Sequence, residues 1–189
     1  MQNSSLKKIS ILLVDDHELV REGVARLLSD TPDIVVIGQL GSGEEVIEYL
    51  SHSDSNDMNL ENNLPNNIYQ MPDIILLDAR MSGLGGIEAT REILKLSPES
   101  KVIAISSVAS GVIPSQMLRS GAKGFITKSV PIEELLKAIR AVNDGDHYVT
   151  PSVATRLAAD PFSDDGGGSL FDKLSRRELQ RVADRADAD

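Results

Sequence analysis

The sequence contains no cysteine, and this absence excludes several classes of protein at once. Without thiols the chain forms no disulfide, no zinc ribbon and no cysteine nucleophile. Tryptophan is also absent and aromatic residues make up only 3%, so a core must be built from aliphatic side chains. No apolar run approaches the roughly 18 residues of a membrane span, and the N-terminus lacks a signal-peptide pattern. These absences favour a protein of the cytoplasm that contacts no membrane.

Positive charge is also scarce. Lysine and arginine number 19 against 29 acidic residues, which gives a formal net charge of −10. A broad electropositive surface for nucleic acid is therefore not expected on this chain. With 189 residues, 41% of them hydrophobic, the chain is long enough for one well-packed domain and an appendage.

Five short apolar runs alternate with helical patterns along most of the chain. The runs are continuous and rich in β-branched residues, as in strands buried on both faces, and they cover residues 9–14, 34–39, 73–77, 102–105 and 124–126. The segments between them carry apolar residues at helical spacing, such as Val20, Val24, Leu27 and Leu28. This alternation predicts an α/β fold with a doubly wound, five-stranded parallel sheet of flavodoxin-like order.

Three segments depart from the alternation and predict the domain boundaries. Residues 52–71 are rich in asparagine and have no periodicity, so we expect a surface insertion there. A linker is expected at 146–172, because it contains the run DPFSDDGGGS. We therefore predict one domain at 1–145, the linker, and a short helical remnant at 173–189.

Polar residues follow the predicted strands at the edge where doubly wound sheets form their sites. Asp15 and Asp16 come after the first strand, Asp78 after the third, Ser106 after the fourth and Lys128 after the fifth. Three carboxylates in one cleft require a cation, and Mg²⁺ fits this set of oxygen ligands best. A carboxylate beside a metal and an ammonium is equipped to accept a phosphoryl group.

Each of these residues also has a simpler interpretation. Asp16 is suited to cap a helix, Lys128 to lie in solvent, and Ser106 to form a turn. Taken singly, these structural roles are favoured. The arrival of all the groups at one sheet edge favours the functional interpretation.

Four motifs in order, LLVDDHELVREG, PDIILLDARMSGLGGIEAT, KVIAIS and GAKGFITKS, resemble the receiver domain of two-component response regulators. The resemblance runs from about residue 9 to residue 143 and implies a CheY-like fold. The Asp-Asp-His start and the segment LFDKLSRRELQ resemble the NarL/FixJ subfamily, and HYVTPSVATRLA is similar to the GacA/UvrY type.

The resemblance implies roles for individual residues. Asp78 would accept a phosphoryl group from a sensor histidine kinase. The Mg²⁺ ligands would be Asp15, Asp16, Asp78 and the backbone carbonyl of Arg80. The chain would then be a signalling protein rather than an enzyme, although a receiver catalyses its own phosphotransfer and slow dephosphorylation.

The remaining implied roles concern the switch. Lys128 would pair with the phosphoryl group, Ser106 would be the switch hydroxyl, and Phe125 the switch aromatic. Ser82 stands where the family usually has proline, so a looser loop is expected after Asp78.

The C-terminal segment resembles only the start of a LuxR-type helix-turn-helix. The 16 residues of 174–189 are too few for two helices of about eight residues each and a turn. We expect specific DNA binding only for a full-length form and predict none for this chain. Whether the chain forms a homodimer is left open.

Two other classes were weighed against a response regulator. A magnesium-dependent phosphohydrolase with an aspartyl-phosphate intermediate is the alternative function, but such enzymes have Asp-x-Asp after their first strand. A nucleotide-binding module is not supported, because the phosphate-loop pattern GxxxxGK[ST] is absent.

Overall fold

The computed structural model describes residues 7–53 and 70–159. Strands and helices alternate along these residues, and we number them in chain order. The strands are β1 (Ile9–Val14), β2 (Ile34–Leu40), β3 (Ile74–Asp78), β4 (Val102–Ser106), β5 (Gly124–Thr127) and β6 (Tyr148–Val149). The helices are α1 (Glu18–Ser29), α2 (Gly43–Ser53), α3 (Gly86–Leu96), α4 (Ile113–Arg119), α5 (Ile132–Asn143) and α6 (Pro151–Ala159).

The six strands form one parallel sheet in the order β2-β1-β3-β4-β5-β6. The first five strands have the predicted flavodoxin-like order, so the predicted fold class is confirmed. All five predicted strands exist, with boundaries that differ by at most one residue from those in the structure. One such difference makes Asp78 and Ser106 the last residues of β3 and β4 rather than the residues that follow them.

The structure adds a sixth strand and a sixth helix to the prediction. Both lie at 148–159, inside the segment predicted as a linker at 146–172, so the linker prediction is wrong for those residues. Two residues of β6 pair with β5, Gly124 with Tyr148 and Phe125 with Val149. A strand this short is stabilised by the edge it joins rather than by its own sequence.

The core lies in two aliphatic layers, one on each face of the sheet. One layer contains Leu12, Ile75, Ile93 and Phe125, and the other contains Leu28 among its members. Alternate residues of each central strand enter opposite layers, because successive side chains of a strand point to opposite faces.

The apolar stripe predicted on α1 is only partly correct. Leu28 is fully buried, but Leu27 is 50% exposed and Val20 37% exposed. Ala25, which the predicted stripe omits, is buried on the same face of the helix as Leu28, three residues later.

Other predicted features fall on residues that the structure does not describe. These are most of the insertion at 52–71, the linker residues 160–172 and the remnant at 173–189. The division into domains therefore stays a prediction. None of the helices within the two described ranges has both the length and the apolar character needed to cross a membrane.

Candidate functional site

A cluster of charged side chains lies at the carboxyl edge of the sheet, as the sequence predicts. Asp15 follows β1, Asp78 ends β3, and Lys128 follows β5. Lys128 Nζ donates to Asp15 Oδ2 at 2.6 Å and to Asp78 Oδ2 at 2.7 Å. One ammonium therefore bridges two buried carboxylates whose strands are neighbours in the sheet.

The bridge is electrostatically uneven, because two acids share one cation. Burial raises the pKa of Asp78, and the bonds from Lys128 and from the backbone N–H of Arg80 only partly offset this. Burial alone would lower the pKa of Lys128, but the hydrogen bonds to Asp15 and Asp78 outweigh it and the pKa is raised. Lys128 is therefore held in its charged form. Ionisation of Asp78 beside it is opposed by burial of that carboxylate.

Asp16 occupies the outer side of the cluster. Its Oδ2 accepts a hydrogen bond from the backbone N–H of Ser82 at 3.0 Å, and this bond is the main cause of a lowered pKa at Asp16. Its Oδ1 is 2.8 Å from His17 Nδ1. That contact lacks hydrogen-bond geometry, so Oδ1 is a buried atom without a hydrogen-bond partner among the described residues.

The loop that follows Asp78 is anchored on both sides. The N–H of Arg80 donates to Asp78 Oδ1 at 3.0 Å. Gly86, at the start of α3, packs so closely on the backbone of β3 that a Cβ would lie 2.5 Å from the carbonyl oxygen of Asp78. Both the start and the end of this loop therefore lie against Asp78. A looser loop is expected where Ser82 replaces proline, but Ser82 is held in the structure by its hydrogen bond to Asp16.

Ser106 and Phe125 lie on the two strands that follow β3 in the sheet order, Ser106 at the end of β4 and Phe125 within β5. Ser106 is fully buried at the end of β4, and its Oγ accepts a hydrogen bond from the N–H of Val108 at 3.1 Å. Among the described residues, no hydrogen bond joins Ser106 to Asp78. The ring of Phe125 is fully buried and packs in the same core layer as Val149 and Val153.

Sequence reasoning overlooked two neighbours of the cluster. Arg21 reaches back from α1 and donates through a guanidinium nitrogen to the backbone carbonyl of Asp15 at 2.5 Å. His17 was read only as part of a motif, yet its ring lies within reach of both Asp15 and Asp16. The position of His17 beside two acids was a usable signal, whereas a side chain that binds a backbone carbonyl leaves no signature in the sequence.

The donor set fits a divalent cation. Asp15, Asp16, His17 and Asp78 each offer a ligand atom, and these atoms all lie within 4.8 Å of one another. Three carboxylates and the one ammonium of Lys128 leave a formal charge of −2 when His17 is neutral. Carboxylate oxygens in this number suit a hard cation such as Mg²⁺, and Oδ1 of Asp16, a buried atom near the exposed ring of His17, is one of the oxygens that could serve as a ligand.

A parallel sheet of this strand order, with a cluster of acids and a lysine at its carboxyl edge, is typical of one class of signalling domain. Comparison with known proteins identifies that class. The family described as the response regulator receiver domain matches residues 11–140. The chain therefore belongs to the response regulator family and carries its phosphoryl-accepting receiver domain.

Relatives and solved structures define the type more closely. The chain is 37% identical to the response regulator GacA of Pseudomonas viridiflava over 172 residues, which are 91% of this chain and 72% of the relative. It is 33% identical to the response regulator UvrY of Escherichia coli K12, over 91% of this chain and 71% of that protein. A LuxR-family two-component response regulator from Aurantimonas sp. SI85-9A1 aligns with a TM-score of 0.69 and 28% identity, covering 81% of this chain and 97% of that one. The receiver is of the GacA/UvrY type, which favours signalling over the phosphohydrolase alternative.

Proposed function

We propose that this chain is a phosphorylation-controlled signalling protein whose phosphoacceptor is Asp78. The observation that carries the proposal is the bridge from Lys128 to Asp15 and Asp78. An ammonium shared by two acids is poised to exchange one carboxylate for a phosphoryl oxygen. The cluster thus brings a carboxylate nucleophile, an ammonium and further carboxylate oxygens together in one place.

The phosphoryl transfer involves three groups of this chain: the Asp78 carboxylate, the Lys128 ammonium and the backbone N–H of Arg80. One carboxylate oxygen of Asp78 forms a bond to phosphorus as the P–N bond of a kinase phosphohistidine breaks, and the electron pair of that bond returns to the imidazole. Lys128 then donates to an oxygen of the transferred group while it keeps its bond to Asp15. The backbone N–H of Arg80 holds the second oxygen of Asp78 and orients the carboxylate for attack.

The proposed cofactor is Mg²⁺. Asp15, Asp16, Asp78 and the backbone carbonyl of Arg80 would hold it. When bound, Mg²⁺ supplies charge neutralisation to the incoming phosphoryl group. His17 lies at the rim of the same cluster and is 67% exposed, so we give it no required role.

Ser106 and Phe125 are the proposed switch. The hydroxyl of Ser106 would leave Val108 and donate to a phosphoryl oxygen, and the space it vacates would allow the ring of Phe125 to reposition. The segment expected to move with the ring of Phe125 is β6–α6, because it contacts that residue directly. Both the N–H and the hydroxyl of Thr150 bind the carbonyl of Phe125, at 3.1 and 3.4 Å, and Val153 is fully buried in the layer that contains the ring.

The partners follow from this assignment. A sensor histidine kinase is the proposed phosphodonor, and the cytoplasm is the proposed location. Specific DNA binding is proposed only where a helix-turn-helix domain accompanies the receiver. These parts of the proposal rest on the family to which the chain belongs.

A small acyl phosphate in the presence of Mg²⁺ tests the function. We expect the intact mass to rise by one phosphoryl group per chain, with loss of the label when Mg²⁺ is chelated. Rapid, repeated hydrolysis of a small phosphomonoester without a stoichiometric label would favour the phosphohydrolase instead.

The switch has its own test, since the Ser106→Ala variant keeps Asp78. We expect this variant to be phosphorylated but to show a smaller change in amide exchange at 132–143 and 148–157 than the unaltered chain. Equal changes in the two proteins would show that Ser106 does not couple the phosphoryl group to these segments.

A further inference from the structure

The N–H of Ser82 is the feature of the site that the family resemblance does not predict. Proline, the usual residue at this place, has no N–H and could not make this bond. Ser82 donates to Asp16 Oδ2 through its backbone at 3.0 Å and through its hydroxyl at 3.4 Å. The first distance is that of an ordinary charge-assisted hydrogen bond and the second is at the long limit. The backbone donor therefore carries the interaction.

Because of this bond, the two oxygens of Asp16 have different environments. Oδ2 is fixed by Ser82 on the loop side. Oδ1 is buried and makes no hydrogen bond with any described residue. One carboxylate oxygen of Asp16 belongs to the group of ligand atoms shared with Asp15 and Asp78. Oδ1 is the oxygen that Ser82 does not hold, and its near neighbour is the exposed ring of His17, whose Nδ1 lies 2.8 Å away.

The loop around Ser82 is itself held in place. Leu84 N donates to Glu44 Oε1 at 2.9 Å, which ties the loop to the first turn of α2. Between these two anchors, Gly83 has a φ of +69°, a backbone conformation that glycine adopts without strain. A Cβ at this position would also lie 2.7 Å from Glu44 Oε1. The N–H of Ser82 is therefore presented by a loop with a second fixed point two residues away.

We propose that Ser82 is a positioning residue for the divalent cation: its backbone N–H holds Asp16 Oδ2 so that Oδ1 is presented as a ligand. The proposal rests on the proposed function, because the cation is taken from it. The serine hydroxyl contributes little to this role. The opposing effect is that the N–H withdraws charge from Asp16, which would weaken the binding of a cation. The two effects have opposite signs in a binding experiment.

Calorimetric titration of the full chain with Mg²⁺, and with Mn²⁺ as a second probe, separates them. Ser82→Pro removes the N–H, and Ser82→Ala is the matched control that keeps the N–H and removes the hydroxyl. We expect the dissociation constant to rise about tenfold in Ser82→Pro and to stay within about twofold in Ser82→Ala. Unchanged or tighter binding in Ser82→Pro would overturn the proposal, as would an equal loss in Ser82→Ala. If the unaltered chain binds neither ion, the proposed function fails before this inference is reached.

A rate measurement distinguishes positioning from a general structural effect. With an acyl phosphate donor, the metal concentration at half-maximal labelling of Asp78 should rise about tenfold in Ser82→Pro, while the rate at saturating metal stays within about twofold. A lower saturated rate with an unchanged half-maximal concentration would refute the positioning role.

The unaltered chain provides a test that does not depend on the folding of a variant. The amide hydrogen of Ser82 should exchange more slowly when Mg²⁺ is bound, because the metal fixes the carboxylate that accepts its bond. Faster exchange on metal binding would mean that the bond breaks, and would overturn the proposal.

Discussion

Two aspartates lie at opposite ends of β3 and have opposite environments. Asp73 precedes the strand, and both of its oxygens are satisfied. Its Oδ2 accepts from the N–H and the hydroxyl of Ser10, at 2.9 and 2.7 Å, and its Oδ1 accepts from Lys7 Nζ at 2.9 Å. Burial opposes ionisation, but the bonds from Ser10 and Lys7 outweigh it and lower the pKa of Asp73.

Asp78 ends the same strand, and there the carboxylates outnumber the cations. Asp78 shares Lys128 with Asp15, and burial raises its pKa. Asp73 therefore closes a hydrogen-bonded junction between β1 and β3, whereas Asp78 belongs to a site in which three carboxylates outnumber the one ammonium of Lys128. Residue type does not separate them. The balance of donors and cations around each carboxylate does, and it supports the proposal that Asp78, not Asp73, is the phosphoacceptor.

The largest expected difference between the two acids is in phosphorylation. Asp78→Asn should abolish labelling by an acyl phosphate, because an amide is not a nucleophile for this transfer. Asp73→Asn is the matched control and should be labelled to the same stoichiometry as the unaltered chain. Intact mass measures both. Labelling of Asp78→Asn, or loss of labelling in a folded Asp73→Asn, would break the comparison.

The next expected effect is on metal affinity. Asp16→Ala removes a ligand and should weaken Mg²⁺ binding at least about tenfold in calorimetry. Asp73→Ala, at the other end of the sheet, should bind Mg²⁺ with the affinity of the unaltered chain. In the absence of metal, Asp16→Ala should be slightly less stable than the unaltered chain at neutral pH, because it loses the bond from Ser82 that lowers the pKa of Asp16. Full metal affinity in Asp16→Ala would remove Asp16 from the site.

Stability should respond in the opposite order. Asp73→Ala leaves the N–H and hydroxyl of buried Ser10 without their shared acceptor, so the free energy of unfolding should fall by about 1–3 kcal/mol. Asp78→Ala should cost less in metal-free protein, because Lys128 keeps its bond to Asp15. Urea denaturation at neutral pH measures both variants. A larger loss in Asp78→Ala would show that the carboxyl edge is held together by Asp78.

The smallest expected effect is on the pH dependence of stability, and its sign differs between the two acids. The folded-state pKa of Asp73 lies below its ordinary value of 3.8, so its contribution is present above pH 3.8 and is lost as the pH falls through the lowered pKa. The folded-state pKa of Asp78 lies above 3.8, so its contribution is greatest below pH 3.8 and is lost as the pH rises through the raised pKa. Carboxyl carbon NMR titration of metal-free protein gives both pKa values directly. Shifts of the same sign would contradict the distinction.

Most of the fold could be predicted because its signals are local and long enough to recognise. Five continuous apolar runs and the rule for strand order were sufficient for the sheet. Strand β6 was missed because two residues carry no periodicity, and it forms only where β5 offers an open edge. The buried face of α1 was partly wrong, since the apolar residues Val20 and Leu27 lie on the exposed side.

The candidate site also has features that the sequence predicts and features that it does not. The convergence of Asp15, Asp78 and Lys128 follows from the rule that parallel strands place their carboxyl ends together. The bond from Ser82 to Asp16 could not be predicted, because a backbone N–H has no residue-type signature and depends on the path of the loop. The resting partner of Ser106, the N–H of Val108, is likewise a matter of backbone geometry.

The identity of the modified acid tests the central claim most directly. The chain is incubated with an acyl phosphate and Mg²⁺, any aspartyl phosphate is reduced with borohydride to homoserine, and the peptides are analysed by mass spectrometry. The account predicts homoserine at position 78 and aspartate unchanged at positions 15, 16 and 73. Homoserine at any of these three positions, or none at 78 in a chain that has gained one phosphoryl group, would contradict it.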